Sequence, residues 1–362
     1  MPPPFRVPFL SLQLGDDRPA IDAAIGRVLD RGWFILGPEL QAFEEELAAA
    51  SGTADAVGVG TGTDALSLIL RGLGIGPGDE VITTPLSAAY TALAIMATEA
   101  RPVFADIDPL RLTIDPRAIE AAITPRTAAI LPVHLYGQPA DMAAIMAIAE
   151  RHGLAVVEDA CQAHLGTCQG RPVGSIGAAG ALSFYPTKNL GALGDAGRIR
   201  RLRNGGQTTR YQHEEFGVNS RLDEMQAAIL RARLARLPEW TARRRALGAR
   251  YRAALAPVVA AAGGGLRVPP ELDPGHVYHL FPVLSADRDG LRTRLAEAGI
   301  ETLIHFPVPI PRQPALATED PAVCPETDRI CAELLSLPLF PDLPETAVTS
   351  VVEALATAVA AR

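Results

Sequence analysis

The sequence predicts an α/β protein with a large domain on a doubly wound, mostly parallel sheet and a smaller α+β domain after it. Three observations lead there. Short runs of buried-strand character at 80–84, 101–106, 128–134 and 154–159 recur at intervals that leave room for a helix between each, as parallel strands joined by crossovers require. The chain has 362 residues, beyond the ~250 to 300 at which one core stops growing. Past Pro238 the pattern changes, through a glycine run at 263–265, to one with room for only a small sheet. The expected boundaries are 1–238 for the large domain, including an amino-terminal arm, and 239–362 for the small one.

Taken in order, Gly37-Pro38 opens a helix over 39–50, with proline suited to the first turn and Gly52 just past the last. Gly78-Asp79 leads into the strand at 80–84, and 101–106 repeats the form. A helix is expected from Leu222 to about residue 237, where Pro238 breaks it before an arginine-rich helix to about residue 255. Beyond lie a strand at 277–284, a helix at 289–298, a strand near 301–305 and a last helix from Glu345.

Composition narrows the function. A net charge of −8, with arginines interspersed among acids, argues against nucleic-acid binding. Prolines occupy the start of the chain where a signal peptide would be apolar, and no run approaches the ~20 apolar residues of a membrane span. A soluble, cytoplasmic protein with no membrane partner is expected. Four cysteines are too few for a disulfide scaffold, and Cys161, His164 and Cys168 lack a fourth ligand, so no metal is expected.

Lys188 is the only lysine; every other basic residue in the Lys/Arg set is arginine. An ε-amine can lose its proton when desolvated and attack a carbonyl, which a guanidinium cannot do. Its surroundings, Ala178-Ala-Gly-Ala-Leu-Ser-Phe-Tyr-Pro-Thr-Lys-Asn-Leu-Gly-Ala-Leu193, are mostly small and apolar, with Ser183 offering a hydroxyl on the same segment. Three other segments fall where strands or helices begin or end. Glycines and threonines at 57–66 precede a helix, so free N–H groups near Thr63 suit an anion. Asp159 ends a hydrophobic strand and needs a cationic or N–H partner, or else caps a following helix. Asn219 and Arg221 stand ahead of the helix from Leu222, where Ser220 or Asp223 could serve as its cap. A phosphate cradle, a carboxylate and an imine-forming lysine together suit pyridoxal 5′-phosphate.

The segments Ser183-Phe-Tyr-Pro-Thr-Lys-Asn-Leu-Gly, Pro132-Val-His-Leu-Tyr-Gly-Gln138, Val157-Glu-Asp-Ala-Cys-Gln-Ala-His164 and Gly217-Val-Asn-Ser-Arg-Leu-Asp-Glu-Met-Gln226 resemble the DegT/DnrJ/StrS sugar aminotransferases, fold-type I pyridoxal-phosphate enzymes. The likeness extends through His276-Val-Tyr-His-Leu-Phe281 and Ile304-His-Phe-Pro307. It implies that Lys188 holds the cofactor as an internal aldimine, with pyridoxamine phosphate as the amino-carrying form. Asp159 would pair with the ring nitrogen, Gln162 would meet the phenolic oxygen, and Ser183 with the Gly62-Thr63-Asp64 turn would take the phosphate. Asn219 would reach that phosphate in a neighbouring subunit, so the resemblance implies a homodimer with shared sites. His134, Tyr136, Tyr185 and, by its position, Arg221 are the candidate sugar contacts.

The implied reaction moves an amino group from glutamate or glutamine to a nucleotide-linked keto-sugar, with a lean towards a dTDP-3-keto-6-deoxyhexose. A 4-keto or UDP-linked substrate, or a regulatory homologue without turnover, are the alternatives. Sugar dehydratases on this scaffold carry histidine at the lysine position, against Lys188. Three departures from the family stand out. After Gly194-Asp-Ala-Gly197, about a dozen residues are missing, enough for a strand and its turn. Tyr90 is the one aromatic available to stack on the cofactor ring. Pro311 replaces the usual small-domain histidine.

Overall fold

The computed structural model describes residues 5–189, 202–209, 212–317 and 321–361. The shortened stretch around 194–197 lies outside the described residues.

Strands β1 (Glu80–Thr83), β2 (Arg101–Phe104), β3 (Thr127–Leu131) and β4 (Ala155–Asp159) appear in the order expected. A small hairpin, β5 (Thr167–Cys168) with β6 (Arg171–Pro172), precedes β7 (Ala179–Ala181). β2-β1-β3-β4-β7 form one parallel sheet. Its strands are nearly continuous in hydrophobicity because both faces are covered. Neighbouring side chains alternate between two cores: Ile82, Ile130 and Val156 pack on one side, Val81, Ala129, Leu131 and Val157 on the other.

The helices around the sheet are α1 (Arg18–Arg31), α2 (Pro38–Ser51), α3 (Gly62–Gly72), α4 (Tyr90–Met96), α5 (Pro116–Ala122), α6 (Met142–His152) and α7 (Glu224–Leu234). α1 lays Ala24 and Val28 against Ala228 of α7. α2 begins at a glycine that offers no capping side chain. Glu224 of α7 supplies the cap instead, accepting from the backbone N–H groups of Gly37, Glu39 and Leu40 at 2.8–2.9 Å. That contact fixes residues 221–223 beside the start of α2.

A hairpin, β8 (Gln207–Thr209) with β9 (Gln212–His213), comes before α7. The second body follows α7: α8 (Leu237–Ala261), then an antiparallel sheet of β10 (Leu266–Arg267), β11 (Phe281–Ser285) and β12 (Leu334–Leu337), with α9 (Arg288–Glu297), α10 (Pro325–Glu333) and α11 (Glu345–Ala360). Tyr251, Phe281, Val283, Leu335 and Val351 centre its core. Val7 belongs to the same core and donates its N–H to Gly299 O at 3.0 Å, so the segment around it packs on the second body.

Two expectations are corrected. Residues 301–305 make only an isolated bridge, Leu303 to Ser336, and β12 takes the place beside β11. The helix expected to reach about residue 237 ends at Leu234, so the expected break falls just ahead of Pro238, which stands in the first turn of α8 where its missing N–H costs nothing.

Candidate active site

The carboxyl ends of β1, β4 and β7 meet the amino end of α3 around a cavity of about 970 Å³, which His279, Leu280, His305 and Phe306 close from the second body. This is the crevice in which open parallel sheets bind ligands.

Lys188 enters the cavity from a turn after β7. Its N–H bonds to Tyr185 O at 2.8 Å, and Pro186 takes the position where fixed φ favours such a turn. Burial lowers its pKa from the usual lysine range, against the opposing pull of Cys161 and Asp159. Asp159 stands 5% exposed at the end of β4. Its Oδ2 accepts from Thr91 Oγ1 at 2.8 Å and its Oδ1 from Cys161 N–H at 3.1 Å. It forms no ion pair among the described residues, and no helix follows for it to cap. A carboxylate so placed, with no cation beside it among the described residues, is a ready partner for a cationic ligand.

At the start of α3, Thr61 Oγ1 accepts from Asp64 N–H at 3.0 Å, and Gly62 and Thr63 face the cavity. A Cβ at position 62 would lie 3.1 Å from Cys161 Sγ and 3.2 Å from Ser183 Cβ. Glycine there lets the helix end seat tightly against β4 and β7. Ser183 lines the cavity, and its carbonyl accepts from His164 Nε2 at 3.1 Å. Gln162 also lines it; its Oε1 accepts from Tyr136 N–H at 2.8 Å, leaving Nε2 as the donor. Tyr90, Tyr185 and Arg221 complete the wall, the two tyrosines 65% and 66% exposed.

Three expected residues, Asp64, His134 and Tyr136, lie elsewhere. Asp64 turns away, its Oδ2 accepting from Ser220 Oγ at 2.8 Å while that oxygen accepts from Gly60 N–H. Ser220 therefore ties two loops together, and Asp223 is the residue that caps α7. His134 is fully buried, against Glu158 Oε2 at 3.0 Å. Just past β3, Val133 bridges to Asp159 and faces the cavity, while His134 turns away from it. Tyr136 is buried too, in an apolar cluster with a hydroxyl that has no partner, and contributes only its N–H through Gln162. Asn219 is exposed and lines no part of its own chain's cavity. Residues 310–313, where Pro311 stands, line none of it either.

The cavity also holds groups the sequence reading passed over, Thr91, His279 and His305. His279 faces Asn189 Oδ1 at 3.3 Å. Burial, with Lys188 nearby, holds its pKa well below the usual histidine value and brings that of His305 down to about 4, so both are neutral near pH 7. The available signal was an imidazole inside an apolar run, in Tyr278-His-Leu-Phe281 and Ile304-His-Phe306.

A second cavity of about 450 Å³ shares residues 184–188, Leu230 and Arg233 with the first. Arg233 and Arg236 sit over the Trp240 ring at 5.0 and 5.9 Å from its centroid. Arg244, 6% exposed, donates from Nη1 to the carbonyls of Tyr278, His279 and Leu339, and forms no ion pair among the described residues.

The chain is 49% identical to a dTDP-3-amino-3,4,6-trideoxy-α-D-glucose transaminase of Streptomyces venezuelae over 97% of its length and 95% of the relative's. Among solved structures, S. venezuelae DesV in complex with a ketimine intermediate matches at a TM-score of 0.92 and 48% identity, covering 97% of this chain and 98% of that one. NtdA from Bacillus subtilis, with bound cofactor PMP, matches at 0.91 and 33%, covering 98% and 85%. These likenesses place the chain among aminotransferases with the sheet and second body described above. Since the profile of one family matches residues 16–356, nearly end to end, the chain belongs to the DegT/DnrJ/EryC1/StrS aminotransferase family.

Proposed function

We propose that this aminotransferase carries an amino group from glutamate or glutamine to the keto group of a nucleotide-linked sugar, a dTDP-3-keto-6-deoxyhexose in the first instance, using pyridoxal 5′-phosphate. One observation carries the reading: the single lysine, a carboxylate with no ion pair among the described residues and a helix amino terminus line the same cavity.

The residues present fit the cofactor. Lys188 would hold its aldehyde, Asp159 its ring nitrogen, Gly62, Thr63 and Ser183 its phosphate, and Gln162 its phenolic oxygen, with Tyr90 beside the ring. When bound, the cofactor supplies an electron sink for the carbanion of amino transfer. The chain's own part is acid–base and positional. The lowered pKa of Lys188 favours the neutral amine that can take a proton from one carbon and return it to another. Asp159 supplies the negative charge that keeps a ring nitrogen protonated. Neutral His279 and His305 offer hydrogen bonds to sugar hydroxyls without competing for that charge, and Leu280 and Phe306 exclude water.

The second cavity favours a substrate with an anionic tail. A buried guanidinium with no ion pair among the described residues is costly, and a diphosphate beside Arg244 would supply a partner. The close dTDP-sugar relative supports the same tail. We further propose that the protein works as a cytoplasmic homodimer, with Asn219 of each chain completing the other's phosphate site.

The test is purified protein loaded with pyridoxal phosphate. An absorbance change on adding glutamate, followed by amination of a dTDP-keto-sugar detected by mass, is expected. Colourless protein that takes up no cofactor would sink the reading.

A further inference from the structure

Asp159 is held by two donors of different origin. The N–H of Cys161 belongs to the backbone two residues on, and any residue there except proline would provide it. The other donor, Thr91 Oγ1, comes from a position 68 residues away, at 2.8 Å, in the first turn of α4. Thr91 is 2% exposed. A helical threonine usually returns its hydroxyl to a carbonyl of the preceding turn. Here the hydroxyl reaches across to β4 instead, and because a carboxylate only accepts, the threonine must donate.

We propose that Thr91 is a positioning residue whose hydroxyl orients the Asp159 carboxylate, leaving its remaining lone pairs to the ring nitrogen of the cofactor. The β-branched side chain suits this task, since its χ1 is restricted and the hydroxyl cannot wander. Thr91 also follows Tyr90, which lines the cavity, so one turn of α4 sets the acid and presents an aromatic side chain. A hydrogen bond from a neutral donor favours the charged carboxylate. Without it, the acid pairs less firmly with a protonated ring nitrogen, and the ring withdraws electrons less strongly from its imine.

The inference rests on the pyridoxal-phosphate reading, and one experiment separates the two. Thr91→Val keeps the shape and loses the donor, whereas Thr91→Ser keeps the donor and loses a methyl. Cofactor affinity, the pH at which the bound cofactor's absorbance band changes, and the melting temperature of the cofactor-free protein are measured for each. The valine variant is expected to bind pyridoxal phosphate roughly tenfold more weakly and to shift the spectral midpoint upward by about one unit, with serine close to wild type. If the valine variant does not fold, Thr91→Ala removes the same donor. Wild-type affinity and midpoint in the donor-less variant overturn the inference, as does serine failing alongside valine. Wild-type protein that binds no pyridoxal phosphate removes the cofactor reading, and the inference with it.

Discussion

His134 Nε2 and Glu158 Oε2 meet at 3.0 Å with neither side chain reaching solvent. Glu158 also accepts from the N–H groups of Gly174, Ile176 and Gly177. Burial works to raise its pKa, but His134 and the amides of Gly177 and Gly174 outweigh that cost and hold it below the usual carboxylate value. The end of β4 thus turns two successive carboxylates to opposite faces: Glu158 fastens the loop ahead of β7, and Asp159 enters the cavity.

Glu158→Ala should destabilise the protein by about 3 kcal/mol, because it strands three amides and an imidazole in the core. Urea unfolding measures this. Since the folded-state pKa is depressed, the contribution of Glu158 is present above the unfolded value near 4.5 and fades as pH falls through the lower, folded one. A variant as stable as wild type would show that the pair is dispensable.

Lys188→Arg should retain the fold and its melting temperature while losing covalent capture of pyridoxal phosphate, since arginine keeps charge and length but cannot form an imine. Borohydride reduction followed by intact-mass measurement checks it. A cofactor-mass adduct in the variant would move the nucleophile elsewhere.

His305 is held neutral, with its pKa lowered from 6.5 to about 4, so its stabilising contribution is full above pH 6.5 and is lost as pH falls towards 4. His305→Gln should flatten the stability curve across that window by about 1 to 3 kcal/mol. Chemical denaturation at a series of pH values reads the slope directly. An unchanged slope would mean that the imidazole is solvated in the folded protein.

Arg236→Gln and Trp240→Leu should each raise the KM for the nucleotide sugar about tenfold, or about 1.4 kcal/mol, while the half-reaction with glutamate keeps its rate. Steady-state and single-turnover kinetics separate the two effects. A slowed donor half-reaction with unchanged sugar KM would contradict the placement of the anionic tail.

Much of the architecture was legible because hydrophobic runs and glycine-proline punctuation are local properties. Lys188 and Asp159 stood out for similar reasons: one is unique in type, the other is a charge at the mouth of a buried strand. What failed was parity and pairing. A shift of one residue along extended backbone moves a side chain to the other face, which separates Val133 from His134 just beyond β3. Asp64 looks like an anion-site neighbour until Ser220 claims it from far along the chain. Thr91 was illegible for the same reason, since nothing near it in sequence announces Asp159. The missed strand β12 owes its existence to β11, its partner in another segment.

The Glu224 cap on α2 bears on the order of assembly. Its bonds span 184 to 187 positions of chain, so the first turn of α2 cannot be completed locally. During synthesis that turn would emerge with three amide donors open to water, and it would close only after α7 had left the ribosome and docked. Contacts of such long range slow folding. The loop at 33–37 and the Arg221 wall of the cavity should therefore become ordered together, as one late event.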